Sequence, residues 1–262
     1  MKGALSLDKY TDFASVYDIL MGHIPYDEWA DYIEKILKQD GIDNGLVLEL
    51  GCGTGAMTRR MAAKGYDMIG IDMSEDMLSL ARQRSEGKED GILYLCQDMR
   101  EFDLYGTVAA IFCVCDTINY MMSEEELSKV FRLVANYLDP GGLFIFDMDT
   151  LYLYEEVLGD NTSMMSHEAG DFIWENTFYP DEMINEVNLT LFLKNGDRSY
   201  RKHQETHIRR AYELEVVKNL LDKAGMDMIG VYHELTKDEP RDDSERVYII
   251  ARERYNSKKK YV

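Results

Sequence analysis

The chain has 262 residues and carries 49 Asp and Glu against 29 Lys and Arg, a formal charge of −20. With 45% apolar and 11% aromatic residues, it has the composition of one folded domain bearing an elaboration or insertion, not of an acidic disordered segment. So acidic a protein repels phosphates, which argues against a nucleic-acid partner. The N-terminal stretch MKGALSLDKYTDFASVYD lacks an apolar core of signal-peptide length. The longest apolar run, Val108 to Cys115, is far short of a membrane span, so the chain is expected to stay in the cytoplasm, off any membrane. The four cysteines, Cys52, Cys96, Cys113 and Cys115, show no CxxC spacing and read as reduced thiols used as small apolar side chains.

In chain order, the spacing of Phe13, Val16, Tyr17 and Leu20, and then of Trp29, Ile33, Ile36 and Leu37, predicts two amphipathic helices broken around Gly22 to Pro25. Strands and helices then alternate. Leu46 to Leu50, Met68 to Asp72, Ile92 to Cys96, Val108 to Val114 and Leu143 to Phe146 read as strands; Ala56 to Lys64, Glu75 to Ser85 and Glu124 to Leu138 read as helices. Strands this uniformly apolar are buried on both faces, as in a parallel sheet covered by helices, so the first 150 residues are α/β. Beyond Asp147 the rhythm changes. Gly159 to Gly170 reads as a loop. Asp171 to Tyr179, Met183 to Lys194 and Arg198 to Arg209 have partial two-residue alternation, with turn signals at Pro180-Asp181 and Asn195-Gly196, which predicts an antiparallel insertion over residues 168–209. Tyr212 to Ala224 returns to helical spacing, Met228 to Leu235 and Arg246 to Arg252 read as strands, and residues 255–262 form a polar tail.

The most informative segment is Val47-Leu48-Glu49-Leu50-Gly51-Cys52-Gly53-Thr54-Gly55, an apolar strand running into alternate glycines and then a helix. Such glycines permit unusual φ angles and let a ligand approach the backbone, and the helix start offers unpaired N–H groups. A second strand ends in Asp72, placed where doubly wound sheets bind ribose hydroxyls. Nicotinamide and adenosyl cofactors both carry a ribose there, so spacing leaves the two open.

Here the chain resembles the class I S-adenosylmethionine-dependent methyltransferases. LELGCGTG is similar to that family's first motif and IGIDMSEDML to its second. Gln97-Asp98-Met99, Ile111 to Tyr120 and Leu138-Asp139-Pro140-Gly141-Gly142 follow in the family's order. The flanking FASVYDILM and IPYDEW resemble a bacterial, small-molecule-type branch distantly akin to glycine and sugar-amine N-methyltransferases. The resemblance implies a Rossmann-like, doubly wound sheet of seven strands with the last antiparallel. The core would comprise residues 1–150 and 210–254, with residues 1–40 as a helical cap and the β insertion as a lid over the acceptor.

The resemblance also implies site roles. Gly51 and Gly53 would lie against the amino-acid portion of S-adenosylmethionine with Cys52 between them, and Glu49 would shape the turn. Asp72 would take the ribose hydroxyls, Met73 would pack on the adenine, Asp98 would accept its amino group and Met99 would add a backbone contact. The fourth strand's end, from Cys113, would be where sulfonium and acceptor meet, and Tyr10 and Tyr17 would fold over the cofactor. Each has a plainer alternative: a core methionine for Met73, a capping acid for Asp98, ordinary helix packing for the tyrosines. Asp116 interrupts an apolar run at the mouth of the sheet and is the candidate to orient or deprotonate the acceptor, with a helix N-cap as the alternative; Asn119 and Tyr120 rank behind it. The donor is already activated, so alignment and exclusion of water suffice, no catalytic triad is required, and S-adenosylhomocysteine is the by-product.

Of three competing readings, two carry less of the sequence and the third carries as much. A nicotinamide-dependent oxidoreductase would share the glycine turn, but the only Tyr-x-x-x-Lys spacing, Tyr255 to Lys259, falls in the polar tail. A nucleic-acid methyltransferase is disfavoured by the lack of Pro-Pro-Tyr after the fourth strand. A non-catalytic S-adenosylmethionine-binding sensor or scaffold would keep the same motifs. His203 and His207 are four apart, but on a strand they stand ~13 Å apart and cannot share a metal, so no metal site is expected.

Overall fold

In the computed structural model, which describes residues 24–86, 91–194 and 199–255, helix α1 (Tyr26–Gln39) leads into a run of alternating strands and helices. These are β1 (Gly45–Leu50), α2 (Ala56–Ala63), β2 (Tyr66–Asp72), α3 (Glu75–Ser85), β3 (Leu93–Cys96), β4 (Val108–Cys113), α4 (Glu124–Tyr137) and β5 (Leu138–Asp149). Serines start two of the helices as caps: Ser74 Oγ accepts from Met77 N at 3.3 Å and Ser123 Oγ from Glu126 N at 3.2 Å. After the insertion come α5 (Leu214–Ala224), β10 (Met226–His233) and β11 (Arg246–Glu253).

The seven core strands form one sheet in the order β10-β11-β5-β4-β1-β2-β3. All are parallel except β11, which runs antiparallel to both β5 and β10. The apolar strands predict the parallel part of this sheet, and the family resemblance implies its seven strands and the antiparallel one. One face buries Leu48, Ile111, Phe144 and Phe146 against Val130, Phe131 and Val134 of α4 and Val217 and Leu221 of α5. The other buries Val47, Phe112 and Ile145 against Trp29, Ile33 and Leu37 of α1 and Met57 and Met61 of α2. The chain goes from β1 outward to β2 and β3, then returns to β4 on the other side. The strand order therefore reverses between β1 and β4, and open sheets hold ligands at the carboxyl ends of strands flanking such a reversal.

The insertion forms a separate four-stranded antiparallel sheet, β6-β7-β8-β9, made of Thr162–His167, Gly170–Tyr179, Ile184–Lys194 and Tyr200–Arg210. The Pro180 turn closes the β7–β8 hairpin, Met183 N donating to Pro180 O at 3.2 Å. The Asn195-Gly196 turn lies outside the described residues, and β8 and β9 pair in register from Lys194↔Tyr200 to Ile184↔Arg210.

Three expectations are corrected here. The segment read as a loop, Gly159 to Gly170, contains strand β6. It is an edge strand exposed at most positions, so its ladder with β7, and not an apolar pattern, makes it a strand. The fifth strand extends beyond Leu143 to Phe146 at both ends. It passes through Pro140 at an irregularity in the β4 pairing, where a missing N–H is tolerated, and continues to Asp149 because Arg246, Val247 and Tyr248 of β11 pair with Asp149, Met148 and Asp147. Cys96, expected as a small apolar side chain, is exposed at the end of edge strand β3. The first predicted helix, with Tyr10 and Tyr17, and residues 256–262 of the tail lie outside the described residues.

Candidate active site

The carboxyl ends of β1, β2 and β4 open into a cavity of about 980 Å³, roofed by the four-stranded sheet. Its first wall is mostly backbone. Leaving β1, Gly51 N and Cys52 N both donate to Ile71 O, at 2.8 and 2.9 Å, which stitches the loop to the end of β2. Gly51 has φ +72°, and a Cβ there would collide with the Thr117 side chain. Gly53 has φ +51° and would point a Cβ into open space. Gly51 therefore lets two loops touch, whereas Gly53 leaves a bare stretch of backbone at the cavity.

Asp72, at the end of β2, is fixed by two amides: Gly53 N donates to Oδ2 and Ser74 N to Oδ1, each at 2.8 Å. Burial pushes its carboxyl above the usual range, and these N–H donors pull it back. Glu49 is buried against the Thr58 hydroxyl, and burial raises its carboxyl to about 8. It is thus a neutral group bracing the start of α2 at neutral pH. Burial also keeps Cys52 a thiol. Met73 is 71% exposed at the cavity, so it does not fill core. Asp98 and Met99 line the cavity too. The Arg100 guanidinium grips the Asp98 carboxylate, Nη2 to Oδ2 at 2.5 Å and Nε to Oδ1 at 3.0 Å, and holds it below the ordinary carboxylate range.

On the second wall Asp116 and Arg209 face the cavity, backed by a buried network of charged side chains. Cys115 and Asp116, at the exit of β4, have φ +63° and +49°, a costly pair of left-handed non-glycine residues. Asp147 at the end of β5 holds them there, its Oδ2 accepting from Cys115 N at 3.0 Å and its Oδ1 from Asp116 N at 2.9 Å. The Asp116 carboxylate meets Arg209 Nη1 of β9 at 2.5 Å and Arg246 Nη2 of β11 at 3.3 Å. Arg246 also reaches Asp147 at 3.2 Å and Asp149 at 3.0 Å, and Arg209 reaches Asp149 at 3.4 Å. Three carboxyl groups face two guanidinium groups. Burial pushes Asp147 up to about 7 and Asp149 to about 6, with Arg246 opposing both.

This geometry revises several expectations. Asp116 makes no side-chain cap to the turn Thr117–Tyr120, and its carboxylate is ion-paired with two arginines. Cys113 is not brought to the cavity: it is fully buried in the core, and Val114, Cys115 and Thr117 line the wall instead. Asn119 is also fully buried. Its Nδ2 donates to Asp149 O and Arg210 O, and its Oδ1 accepts from Asp149 N, so it fastens the roof strand β9 to the core. Asp147, Asp149, Arg209 and Arg246 were missed. A signal existed for the two acids, which follow the apolar run Leu143 to Phe146 two residues apart at a strand's carboxyl end, where Asp116 drew attention. For the arginines there was none.

A methyltransferase-domain family model matches residues 47–142. The Bacillus subtilis (strain 168) protein YqeM, which carries a methyltransferase name, is 36% identical over 243 residues, 92% of this chain and 96% of its own. A solved S-adenosylmethionine-dependent methyltransferase from Clostridium acetobutylicum ATCC 824 matches with a TM-score of 0.85 at 26% identity, over 94% of this chain and 99% of that one. The chain belongs to the class I S-adenosylmethionine-dependent methyltransferases. This methyltransferase is also 30% identical over 138 residues, 52% of its length and 56% of the relative's, to dTDP-3-amino-3,4,6-trideoxy-α-D-glucopyranose N,N-dimethyltransferase from Streptomyces venezuelae.

The methyltransferase's first wall fits its cofactor. It presents bare backbone at Gly53, a doubly anchored carboxylate at Asp72 and an exposed thioether at Met73, a set of groups that suits S-adenosylmethionine. Among the described residues no helix is long and apolar enough to cross a membrane, and no group of three His, Cys, Asp or Glu is arranged for a metal ion.

Proposed function

We propose that the enzyme methylates an amine nitrogen of a small molecule held beneath the four-stranded sheet, beside Asp116. The acidic lining on that side of the cavity, Asp116 and Glu205 against the one guanidinium of Arg209, carries this reading. A buried site with surplus carboxylate favours a cationic ammonium over a neutral hydroxyl or an anion. The cavity, at about 980 Å³, is at the upper end of small-ligand sites and has room for an acceptor besides the cofactor. Its roof offers Trp174, Val187 and Leu189 for an apolar body and Asn176 and Glu205 for polar substituents. The partial similarity to an amino-sugar N,N-dimethyltransferase points the same way, and the charge of −20 favours a small molecule over a polyanion.

S-adenosylmethionine supplies an electrophilic methyl group on a sulfonium. In this reading Gly51, Cys52 and Gly53 carry its amino-acid portion, Asp72 binds the ribose hydroxyls, and Met73, Asp98 and Met99 take the adenine. Asp116 and its neighbours attract and orient the acceptor, and the roof excludes water, so that alignment supplies most of the rate.

Methyl-labelled S-adenosylmethionine incubated with the full chain and a protein-free metabolite extract tests this. Label should move into the extract, and should stop doing so when the extract's amines are N-acetylated beforehand; transfer that survives acetylation overturns the amine reading. Asp116→Asn should slow transfer about tenfold while changing S-adenosylhomocysteine affinity less than about threefold. Equal loss of both would move Asp116 into the cofactor site.

A further inference from the structure

His207 on β9 has a partner on each ring nitrogen. Its Nδ1 lies 3.0 Å from the Tyr120 phenol oxygen, and its Nε2 lies 3.4 Å from Glu205 Oε2, within ion-pair reach. Tyr120 comes from the turn after β4 and its ring meets the imidazole edge-to-face, the centroids 6.1 Å apart. Glu205, His207 and Arg209 alternate along β9 and face the cavity together, and Val187, opposite His207 on β8, adds no charge. A carboxylate only accepts hydrogen bonds, so in the neutral ring the proton sits on Nε2, toward Glu205. Nδ1 then keeps a lone pair aimed at Tyr120, and the phenol must donate to it. The order phenol, imidazole, carboxylate is that of an activated hydroxyl backed by a base and an orienting acid.

We infer that Tyr120, His207 and Glu205 form a proton relay that removes the acceptor's proton during methyl transfer. This rests on the reading that the acceptor lies in the cavity beside Asp116. An N–H bond of the acceptor's ammonium form, or the O–H bond of a hydroxyl acceptor, breaks, its proton passes to the Tyr120 oxygen, and the phenol proton passes to His207 Nδ1. The lone pair so freed forms the bond to the methyl carbon as the carbon–sulfur bond breaks, and that electron pair stays on sulfur. The imidazolium that results lies against the Glu205 carboxylate and is neutralised there until it returns its proton to water. Tyr120 is the group that faces the acceptor, and His207 and Glu205 act through it. The phenol is pushed up to about 12 by burial and then by the Asp116 charge, so it relays a proton without standing as phenolate.

Nitrogen NMR of the full chain labelled in histidine, with His207 assigned through His207→Gln, tests the relay without any acceptor. The neutral ring should carry its proton on Nε2, and Tyr120→Phe should shift the Nδ1 resonance; a proton on Nδ1, or no response to Tyr120→Phe, overturns the relay. With the metabolite extract at about pH 7, His207→Ala should lose about 100-fold in rate, the low end for a general base, with S-adenosylhomocysteine affinity unchanged. Added imidazole should restore part of that rate. Intact cofactor binding without rescue by imidazole would make His207 a structural residue and end the proposal. Transfer that survives amine acetylation yet still depends on His207 refutes the amine reading alone.

Discussion

The two walls of the cavity are built on different plans. The first, from Glu49 to Gly55 with Asp72, joins two neighbouring parallel strands, and its key contacts are between backbone amides and one carboxylate. The second presents Asp116 and Arg209 to the cavity and backs them with Asp147, Asp149 and Arg246, a network drawn from three strand ends and the roof whose contacts nearly all join side chains or side chain to backbone. A backbone cradle constrains the chain locally and suits an invariant ligand. A side-chain network can be altered residue by residue, which suits the half of a site that has to match an acceptor.

The largest expected effect breaks the second wall. Arg246→Ala removes the partner of Asp147 and Asp149, both almost fully buried. It should cost about 3–5 kcal/mol of folding stability in urea titrations, because uncompensated buried charge is left behind. A loss below about 1 kcal/mol would mean that the network is not a structural tie between β5 and β11.

The first wall should instead reveal itself through pH. Glu49 has a folded-state value of about 8, above its ordinary 4.5, so the folded chain holds this proton where the unfolded chain has lost it. Its contribution to stability is full below about pH 4.5 and is lost as pH rises toward 8, at about 1.4 kcal/mol per unit. Glu49→Gln should therefore flatten the decline in stability across that window, measured by denaturant unfolding at several pH values, and an unchanged slope would place the ionised form in the fold.

Gly51→Ala forces an L-residue into φ +72° against Thr117. It should cost about 1–3 kcal/mol, seen as a lower melting temperature, and should weaken S-adenosylhomocysteine binding by displacing the loop. Asp72→Ala should be milder for the fold and sharper for the ligand, costing at least about 1.4 kcal/mol of cofactor affinity, a factor of ten, by calorimetry. Should Arg246→Ala weaken cofactor binding as much as Asp72→Ala does, the two walls would not be separable and the contrast between them would fall.

The legibility of the site follows the same division. The glycine loop, Asp72 and the alternation of strands and helices were readable because each depends on residues close in sequence: a glycine where φ is positive, an acid at a strand's end, apolar runs buried on both faces. Asp98 was readable as a residue of the cavity, whereas its clasp by Arg100 was not. Cys113 was misplaced along the strand, since β4 ends at Cys113 inside the core and the cavity begins at the residues that leave it, Val114 and Cys115. Strand β6 escaped because an edge strand draws its hydrogen bonds from a neighbour and needs no apolar stripe of its own.

By itself the sequence determined the α/β core, the glycine loop and the family, because turns, caps and apolar periodicity act over a few residues and leave their mark there. Only the tertiary structure decided which charges meet. Arg246 is 130 positions from Asp116 and Arg209 is 93, and Tyr120 is 87 from His207. Such pairings are set by strand order and by the docking of one sheet over another. Coulomb attraction and hydrogen bonding act through space, so the chain records the partners but not the encounter.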